Sequence, residues 1–373
     1  MKTFVELGIK KNFVKALAEL QIVEPTAIQA EVIPVLLGGT TDLVGQAQTG
    51  TGKTAAFGLP LLQQIDPKQD AVQGLILCPT RELGKQIAKQ LFKFTKYSDQ
   101  IYTEAVYGGE HIDRQIGRLS RTTHIIVATP GRLIDLVERK AVDLSQVKTV
   151  VLDEADEMLS MGFQKELEAI LSLTSGVQNK WLFSATIPAE IEEIISKYLS
   201  PSAKRLKLSG ENLVNDKIRH QYLVCEEDEK LYVLMQFLAS EKNNRGLVFC
   251  KTKAATKKLS KQLQAKNVAA DALHGDLLQK ERDKVMRAFK NENLNILVAT
   301  DVAARGIDVP DLSFVVHYEL PQSEEYYTHR SGRTARAGKK GVSLVIGTYA
   351  EAKQLKYYER NLGIHFEQIK KIK

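Results

Sequence analysis

The residues best equipped for chemistry begin with AQTGTGKT, Ala47–Thr54. It follows an apolar segment, Asp42–Val44, and leads into a helical pattern beginning AAFGL. A glycine-rich turn between strand and helix is a phosphate cradle. Its members are Ala47, Gln48, Thr49, Gly50, Thr51, Gly52, Lys53 and Thr54. Gly50 and Gly52 let the backbone turn tightly and aim N–H groups at phosphate oxygens, with a helix N-terminus beneath them. Lys53 neutralises the β- and γ-phosphates, and the Thr54 hydroxyl ligates Mg²⁺. Ala47 stands where such loops carry their first glycine.

About a hundred residues downstream, VVLDEAD (Val150–Asp156) sets an apolar strand directly before paired carboxylates. At a strand end Asp153 is placed to hold Mg²⁺ through water, and Glu154 to orient or deprotonate an attacking water. A solvated acidic turn would explain the tetrapeptide alone, but not its pairing with the cradle. The two motifs together predict hydrolysis of a nucleoside triphosphate.

The elements that must carry these motifs are short apolar runs alternating with helical periodicity. The runs are Leu75–Leu77, Ile125–Val127, Val150–Leu152 and Trp181–Phe183, then Leu247–Phe249, Ile296–Val298, Phe314–Val316 and Leu344–Ile346. Val-, Ile- and Leu-rich runs without polar alternation suit strands buried on both faces, and their alternation with helices implies a parallel sheet. HIIVATPGRLID (His124–Asp135) echoes NILVATDVAARGID (Asn295–Asp308), which suggests two copies of one α/β fold. The polar stretch SGENLVND (Ser209–Asp216) reads as a linker, giving domains at 1–208 and 217–373.

The 373 residues agree with two domains. Net charge is +7, and the excess lies from Glu211 onward, where 28 Lys and Arg meet 21 Asp and Glu. That balance hints at an anionic partner. Three separated cysteines, Cys78, Cys225 and Cys250, form no CxxC pair, which argues against zinc or a disulfide framework and fits a reducing compartment. No run approaches the roughly 20 apolar residues of a membrane span, and MKTFVELGIK lacks a signal-peptide core, so a cytoplasmic enzyme is expected.

Further segments occur in a fixed order: PTREL (Pro79–Leu83), Gly108-Gly109, TPGR (Thr129–Arg132) and SAT (Ser184–Thr186). After them come LVFCKT (Leu247–Thr252), QKER (Gln279–Arg282), ATDVAARGID (Ala299–Asp308) and HRSGRTARAG (His329–Gly338). With the cradle and Asp153-Glu154-Ala155-Asp156, this set resembles the DEAD-box ATP-dependent RNA helicases over almost the whole chain. His329 stands where the related DEAH helicases usually carry Gln. EPTAIQ (Glu24–Gln29) resembles the family's Q motif, with Gln29 reading the adenine edge and Phe4 as the isolated upstream aromatic. Where the family often has Gly-Phe this chain has Gln21-Ile22, so Ile22 offers adenine apolar contact without stacking.

The resemblance implies two tandem RecA-like domains that use ATP with Mg²⁺. It makes Arg333 and Arg336 arginine fingers, three apart and on one face if helical. It assigns Asp308 to the ribose, and Ser184, Thr186 and His329 to coupling. It implies RNA contacts by Thr80, Arg81, Gly109, Thr129 and Arg132 from the first domain, and by Thr252, Arg282, Thr300 and Asp301 from the second. Hydroxyls, arginines and glycine amides suit phosphate and 2′-OH contacts, so single-stranded or duplex RNA is bound with little sequence preference. Protein partners in RNA processing, a monomeric core and no stable DNA binding are expected with it. For KTKAATKKLSKQLQAK (Lys251–Lys266) a solvated helix face is favoured beyond Thr252, and for Trp181 a buried strand position.

Three rivals explain less. A nucleotide kinase accounts for the cradle but not the second-half arginines. A DNA translocase lacks the Q motif with DEAD and HRSGR. A clamp without turnover needs a damaged site, whereas Lys53, Glu154 and both arginines are present.

Overall fold

All eight apolar runs lie in strands, because each can bury both of its faces. In the first half the strands are β1 Leu43–Gln46, β2 Gly74–Leu77, β3 Thr103–Val106, β4 Ile125–Ala128, β5 Thr149–Leu152, β6 Asn179–Ser184 and β7 Lys204–Lys207. In the second they are β8 Ile218–Val224, β9 Gly246–Phe249, β10 Ala270–Leu273, β11 Ile296–Ala299, β12 Phe314–His317, β13 Gly341–Gly347 and β14 Glu367–Gln368. The computed structural model describes residues 2–39, 41–48, 50–207, 217–242, 244–304, 312–335 and 339–369. The expected linker, 209–216, lies outside them, and the chain divides into two compact units, 1–208 and 209–373.

Each unit is a parallel seven-stranded sheet flanked by helices. The first runs β3-β4-β2-β5-β6-β1-β7 and the second β10-β11-β9-β12-β13-β8-β14, the same order strand for strand. The echo between His124–Asp135 and Asn295–Asp308 falls on β4 and β11, which are second in their sheets. Alternate side chains feed two cores in the first unit. Ile76, Val127, Val151, Trp181 and Phe183 join one, and Leu75, Ile126, Val150, Leu152 and Leu182 the other. Burying each such side chain contributes about 1.5–3 kcal/mol, which is why a continuous apolar run is stable here.

The strands not anticipated are β3, β7, β8, β10 and β14. β7 reads Lys-Arg-Leu-Lys and β14 Glu-Gln, both at sheet edges where one flank needs no partner. Trp181 is fully buried, and its indole N–H donates to the Thr41 carbonyl at 3.1 Å, so it is a core residue as expected. Helix Lys253–Ala265 buries Thr256, Leu259 and Leu263 and leaves Lys257, Lys258 and Lys261 exposed, the expected solvated face. Lys253 and Lys257 both pair with Asp276.

Candidate functional site

The cradle is built by β1 and helix Lys53–Gln64. Gly50 and Gly52 have φ of +82° and +96°, the left-handed region that glycine enters without strain. Gly52 has a second reason to lack a side chain, since a Cβ there would collide with the Gln29 amide nitrogen. Lys53 is buried and its Nζ donates to the Ala47 carbonyl at 3.0 Å, which holds the ammonium inside the loop. Thr51 Oγ1 donates to the Gln48 carbonyl at 2.8 Å. Thr54 is half-buried in the first turn of the helix.

Beside the cradle, β5 delivers the acidic pair. Asp153 and Glu154 are 2 % and 7 % exposed, yet Asp153 Oδ1 and Glu154 Oε2 have no hydrogen-bond partner. A buried carboxylate oxygen without a donor costs 1 to 3 kcal/mol or more, so both await a proton, a water or a cation. Burial pushes the Asp153 carboxyl up to about 7, against the pull of Lys53 and with a further push from Glu154. Glu154 has φ +53°, left-handed for a residue with a long side chain. Strain of that sort persists where the surrounding structure imposes it.

SAT begins on the last residue of β6, the strand between β5 and β1 in the sheet. Ser184 Oγ accepts from the Asp156 amide at 3.1 Å. Thr186 donates both its amide and its hydroxyl to Asp156 Oδ2 at 2.9 Å. Asp156, for which the sequence suggested no separate role, is therefore the residue that ties DEAD to SAT.

The remaining first-unit residues gather at the other end of the same sheet edge, behind β2, β4 and β3. Thr80 caps helix Arg81–Phe94 by accepting from the Leu83 amide at 3.3 Å. Thr129 is the N-cap of helix Pro130–Glu138. Exposed Gly109 has φ +82°. The Arg81 guanidinium lies 4.9 Å over the Tyr107 ring. The second unit repeats the pattern. Thr252, after β9, caps helix Lys253–Ala265 by accepting from Ala255 at 3.1 Å, and Thr300, after β11, accepts from Ala303 at 3.4 Å. Threonines thus close the same two strands in both sheets.

Comparison with known proteins agrees with this layout. The DEAD/DEAH box helicase family model matches residues 26–194, and the helicase conserved C-terminal domain matches 229–338. A DEAD-box ATP-dependent RNA helicase, CshA of Bacillus cereus, is 44% identical over 96% of this chain and 68% of its own length. CshA of Geobacillus kaustophilus is 42% identical over 99% of this chain and 79% of its own. The chain belongs to the DEAD-box ATP-dependent RNA helicases. Its fold is similar to that of S. cerevisiae Dbp5 bound to RNA and ADP BeF3. That match has TM-score 0.91 and 30% identity, covering 99% of this chain and 96% of that one.

Several residues of this helicase are engaged differently from the sequence expectation. Gln29, assigned to adenine, accepts from the Thr26 amide at 2.9 Å and donates to the Gly52 carbonyl at 3.1 Å, so it also ties the Q motif to the cradle. Phe4 is 1 % exposed within the core around Leu7, Ile9 and Phe13 and packs there, leaving no face for a nucleotide. Ile22 is half-buried against that core. Arg132 directs both terminal nitrogens at the Glu110 carbonyl, each at 3.1 Å, and so braces the Gly108-Gly109 loop from below. Asp301 is engaged by Arg330 through Nε at 2.5 Å and Nη2 at 2.7 Å, so this expected RNA ligand, itself half-buried, is also the counter-ion of a buried guanidinium. Arg282 donates to the Ala303 carbonyl at 2.9 Å.

Arg333 is buried but lies in a turn and not in a helix, because helix Glu324–Ser331 stops at Gly332. His329 lies half-buried in the last turn of that helix. Thr49, Asp308 and Arg336 lie outside the described residues.

A second echo was legible but missed. Gly74-Leu75, Cys78 and Thr80 correspond to Gly246-Leu247, Cys250 and Thr252, at β2 and β9, third in each sheet. Both cysteines are buried thiols that desolvation pushes above the usual range.

Proposed function

We propose that this helicase hydrolyses ATP when its two units close over ATP and RNA, and that closure remodels RNA duplexes locally with little regard to sequence. The observation that carries the reading is the pair of buried, unpartnered oxygens, Asp153 Oδ1 and Glu154 Oε2, next to Lys53. Among the described residues no three His, Cys, Asp or Glu side chains form a metal cage. One carboxylate and the Thr54 hydroxyl suit a cation that keeps waters and phosphates as its other ligands, which is the habit of Mg²⁺. Bound there by Asp153 and Thr54, Mg²⁺ would offset the negative charge of the phosphates.

The other roles belong to the chain. Cradle amides and Lys53 hold the phosphates, and Glu154 orients the attacking water and takes its proton. Arg333, and by resemblance Arg336, supply the positive charge that the γ-phosphate needs as it departs, worth about 10³–10⁵ in rate in related chemistry. Because they come from the second unit, turnover depends on closure. Thr80, Arg81, Gly109 and Thr129, with Thr252, Arg282 and Thr300, meet the RNA backbone. The Asp156–Thr186 contact relays between the ATP and RNA ends of the first sheet. Asp308 would meet the ribose, and the reaction is assigned to the cytoplasm.

Steady-state ATP hydrolysis with single-stranded RNA, with DNA of the same sequence and with neither tests the reading. Stimulation by RNA alone is expected, and Glu154→Gln should lose turnover by about 10²–10⁴ while still binding ATP. Equal stimulation by DNA would overturn the 2′-OH assignment, and full activity in Glu154→Gln would remove the proposed base.

A further inference from the structure

The helix that leads to Arg333 rests on a buried polar chain that neither the motifs nor the mechanism uses. His317 ends β12, Ser343 lies on β13, His220 on β8, and Tyr327 and Ser331 are on helix Glu324–Ser331. All five are buried, His317, Ser331, Ser343 and Tyr327 completely. His317 Nε2 is 3.0 Å from Ser343 Oγ and 3.3 Å from Ser331 Oγ, and the two serine oxygens are 2.8 Å apart. Ser343 Oγ is 3.2 Å from the Tyr327 hydroxyl, which is 2.5 Å from His220 Nδ1. The His317 ring also stacks on Tyr327, with centroids 4.6 Å apart at 19°.

A consistent proton order runs along these contacts and leaves only His317 Nδ1 without a partner among the chain's buried ring nitrogens and hydroxyls. His317 Nε2–H donates to Ser343, Ser343 to Tyr327, and Tyr327 to His220 Nδ1, with Ser331 donating to Ser343. The order needs His220 unprotonated at Nδ1, whereas His317 donates from Nε2 in either charge state. Burial holds His220 down to about 4 and His317 well below its usual value, the latter helped by the nearby Arg330 charge. Apolar side chains of the same size would have filled this space without the desolvation cost of five polar groups. What these directional contacts add over apolar packing is a restricted geometry.

That geometry bears on the arginine. Ser331 is the last helical residue and Arg333 follows two positions later. Ser331 is tied to β12 and β13 through His317 and Ser343. Arg330 is tied to Asp301 and, at 2.8 Å, to the Glu319 carbonyl. Thr334 Oγ1 donates to the Leu312 carbonyl on the far side. The turn carrying Arg333 is therefore pinned before and after it.

We propose that His317, acting through Ser331 and Ser343, is a positioning residue that sets where the Arg333 turn leaves its helix, and so sets the rate of ATP hydrolysis without contacting ATP. The inference rests on Arg333 serving as the arginine finger. A displacement near 1 Å at a group acting on a transition state costs up to on the order of a hundredfold in rate.

The test is RNA-stimulated ATP hydrolysis by the full chain, reading kcat, KM for ATP and Tm in each variant. His317→Phe keeps the ring and its stack but loses the nitrogen. Its kcat should fall roughly ten- to a hundredfold with KM for ATP within about twofold, since a transition-state contact is lost and not ground-state binding. His317→Gln, whose amide nitrogen reaches the place of Nε2, should restore most of the loss. Ser343→Ala, a one-oxygen change, should repeat the kcat defect and serves if His317→Phe does not fold. Unchanged kcat in a folded His317→Phe or Ser343→Ala, or a His317→Gln no better than Phe at equal Tm, overturns the proposal. Arg333→Ala is measured alongside: if it keeps full turnover, the finger reading fails and this inference with it. If Arg333→Ala is dead while His317→Phe is normal, the inference alone fails.

Discussion

Thr186 grips Asp156 twice, through its amide and its hydroxyl, both at 2.9 Å from Oδ2. Asp156 Oδ1 in turn accepts from the Glu157 amide at 3.1 Å, so both oxygens of the carboxylate are engaged. Thr186→Val removes one of the two bonds and keeps the shape. The expected result is near-normal RNA-stimulated ATP hydrolysis with fewer duplexes separated per ATP. A duplex-unwinding assay run beside phosphate release checks it; an unchanged ratio would remove Thr186 from the relay.

Gln21 stands where the family often has glycine, and the structure shows why glycine suits the place. Its φ is +59°, just past the end of helix Lys11–Glu19, where the Ile22 amide turns back to the Leu17 carbonyl at 2.9 Å. A left-handed conformation costs an ordinary residue about 1–2 kcal/mol, while glycine costs about 0.4–1 kcal/mol through the unfolded chain. The strain term is larger. Gln21→Gly should stabilise the first unit by roughly 0.5–1 kcal/mol, read from its urea midpoint at constant slope.

Asp301 gives a contrasting case. The Arg330 side chain that it neutralises is 1% exposed, so deleting the carboxylate strands a buried guanidinium. Breaking such a pair from one side costs about 3–5 kcal/mol. Asp301→Ala should therefore lower the stability of the second unit by that amount, whereas Thr252→Val should weaken RNA binding with a far smaller stability change. Chemical denaturation and RNA titration of both variants separate the two. An Asp301→Ala protein of normal stability would show that the pair does not hold the second unit together.

These cases show where a sequence can be read and where it cannot. Runs such as Leu75–Leu77 and Leu247–Phe249 declare themselves because a strand covered on both faces tolerates only apolar residues. Gly50, Gly52, Lys53, Asp153 and Glu154 are legible because phosphate chemistry demands those types at that spacing. β7 escaped because an edge strand of Lys-Arg-Leu-Lys carries no burial pattern. Asp301 and Arg132 were assigned to RNA by motif, yet their partners lie 29 and 22 residues away, and only folding shows that those partners are internal. The polar chain under Tyr327 was equally hidden, since its five members come from four separate elements.

Asp153 supplies a pH signature. Its carboxyl titrates at about 7, raised mainly by burial and by Glu154 despite Lys53, so near neutrality much of the nucleotide-free protein holds a proton there. A divalent cation beside the carboxylate favours the charged form, so binding Mg²⁺ with a non-hydrolysable ATP analogue should expel that proton. Near pH 7 the release from this group should be about half a proton, larger at pH 6 and gone by roughly pH 8.5. Calorimetry in buffers of different ionisation enthalpy counts the protons, and Asp153→Asn gives the nucleotide's own contribution. Repeating the titration with EDTA in place of Mg²⁺ should abolish the difference between the two proteins. Equal release from wild type and Asp153→Asn at pH 6 would mean that the carboxylate is already ionised and that the two unpartnered oxygens are satisfied by water.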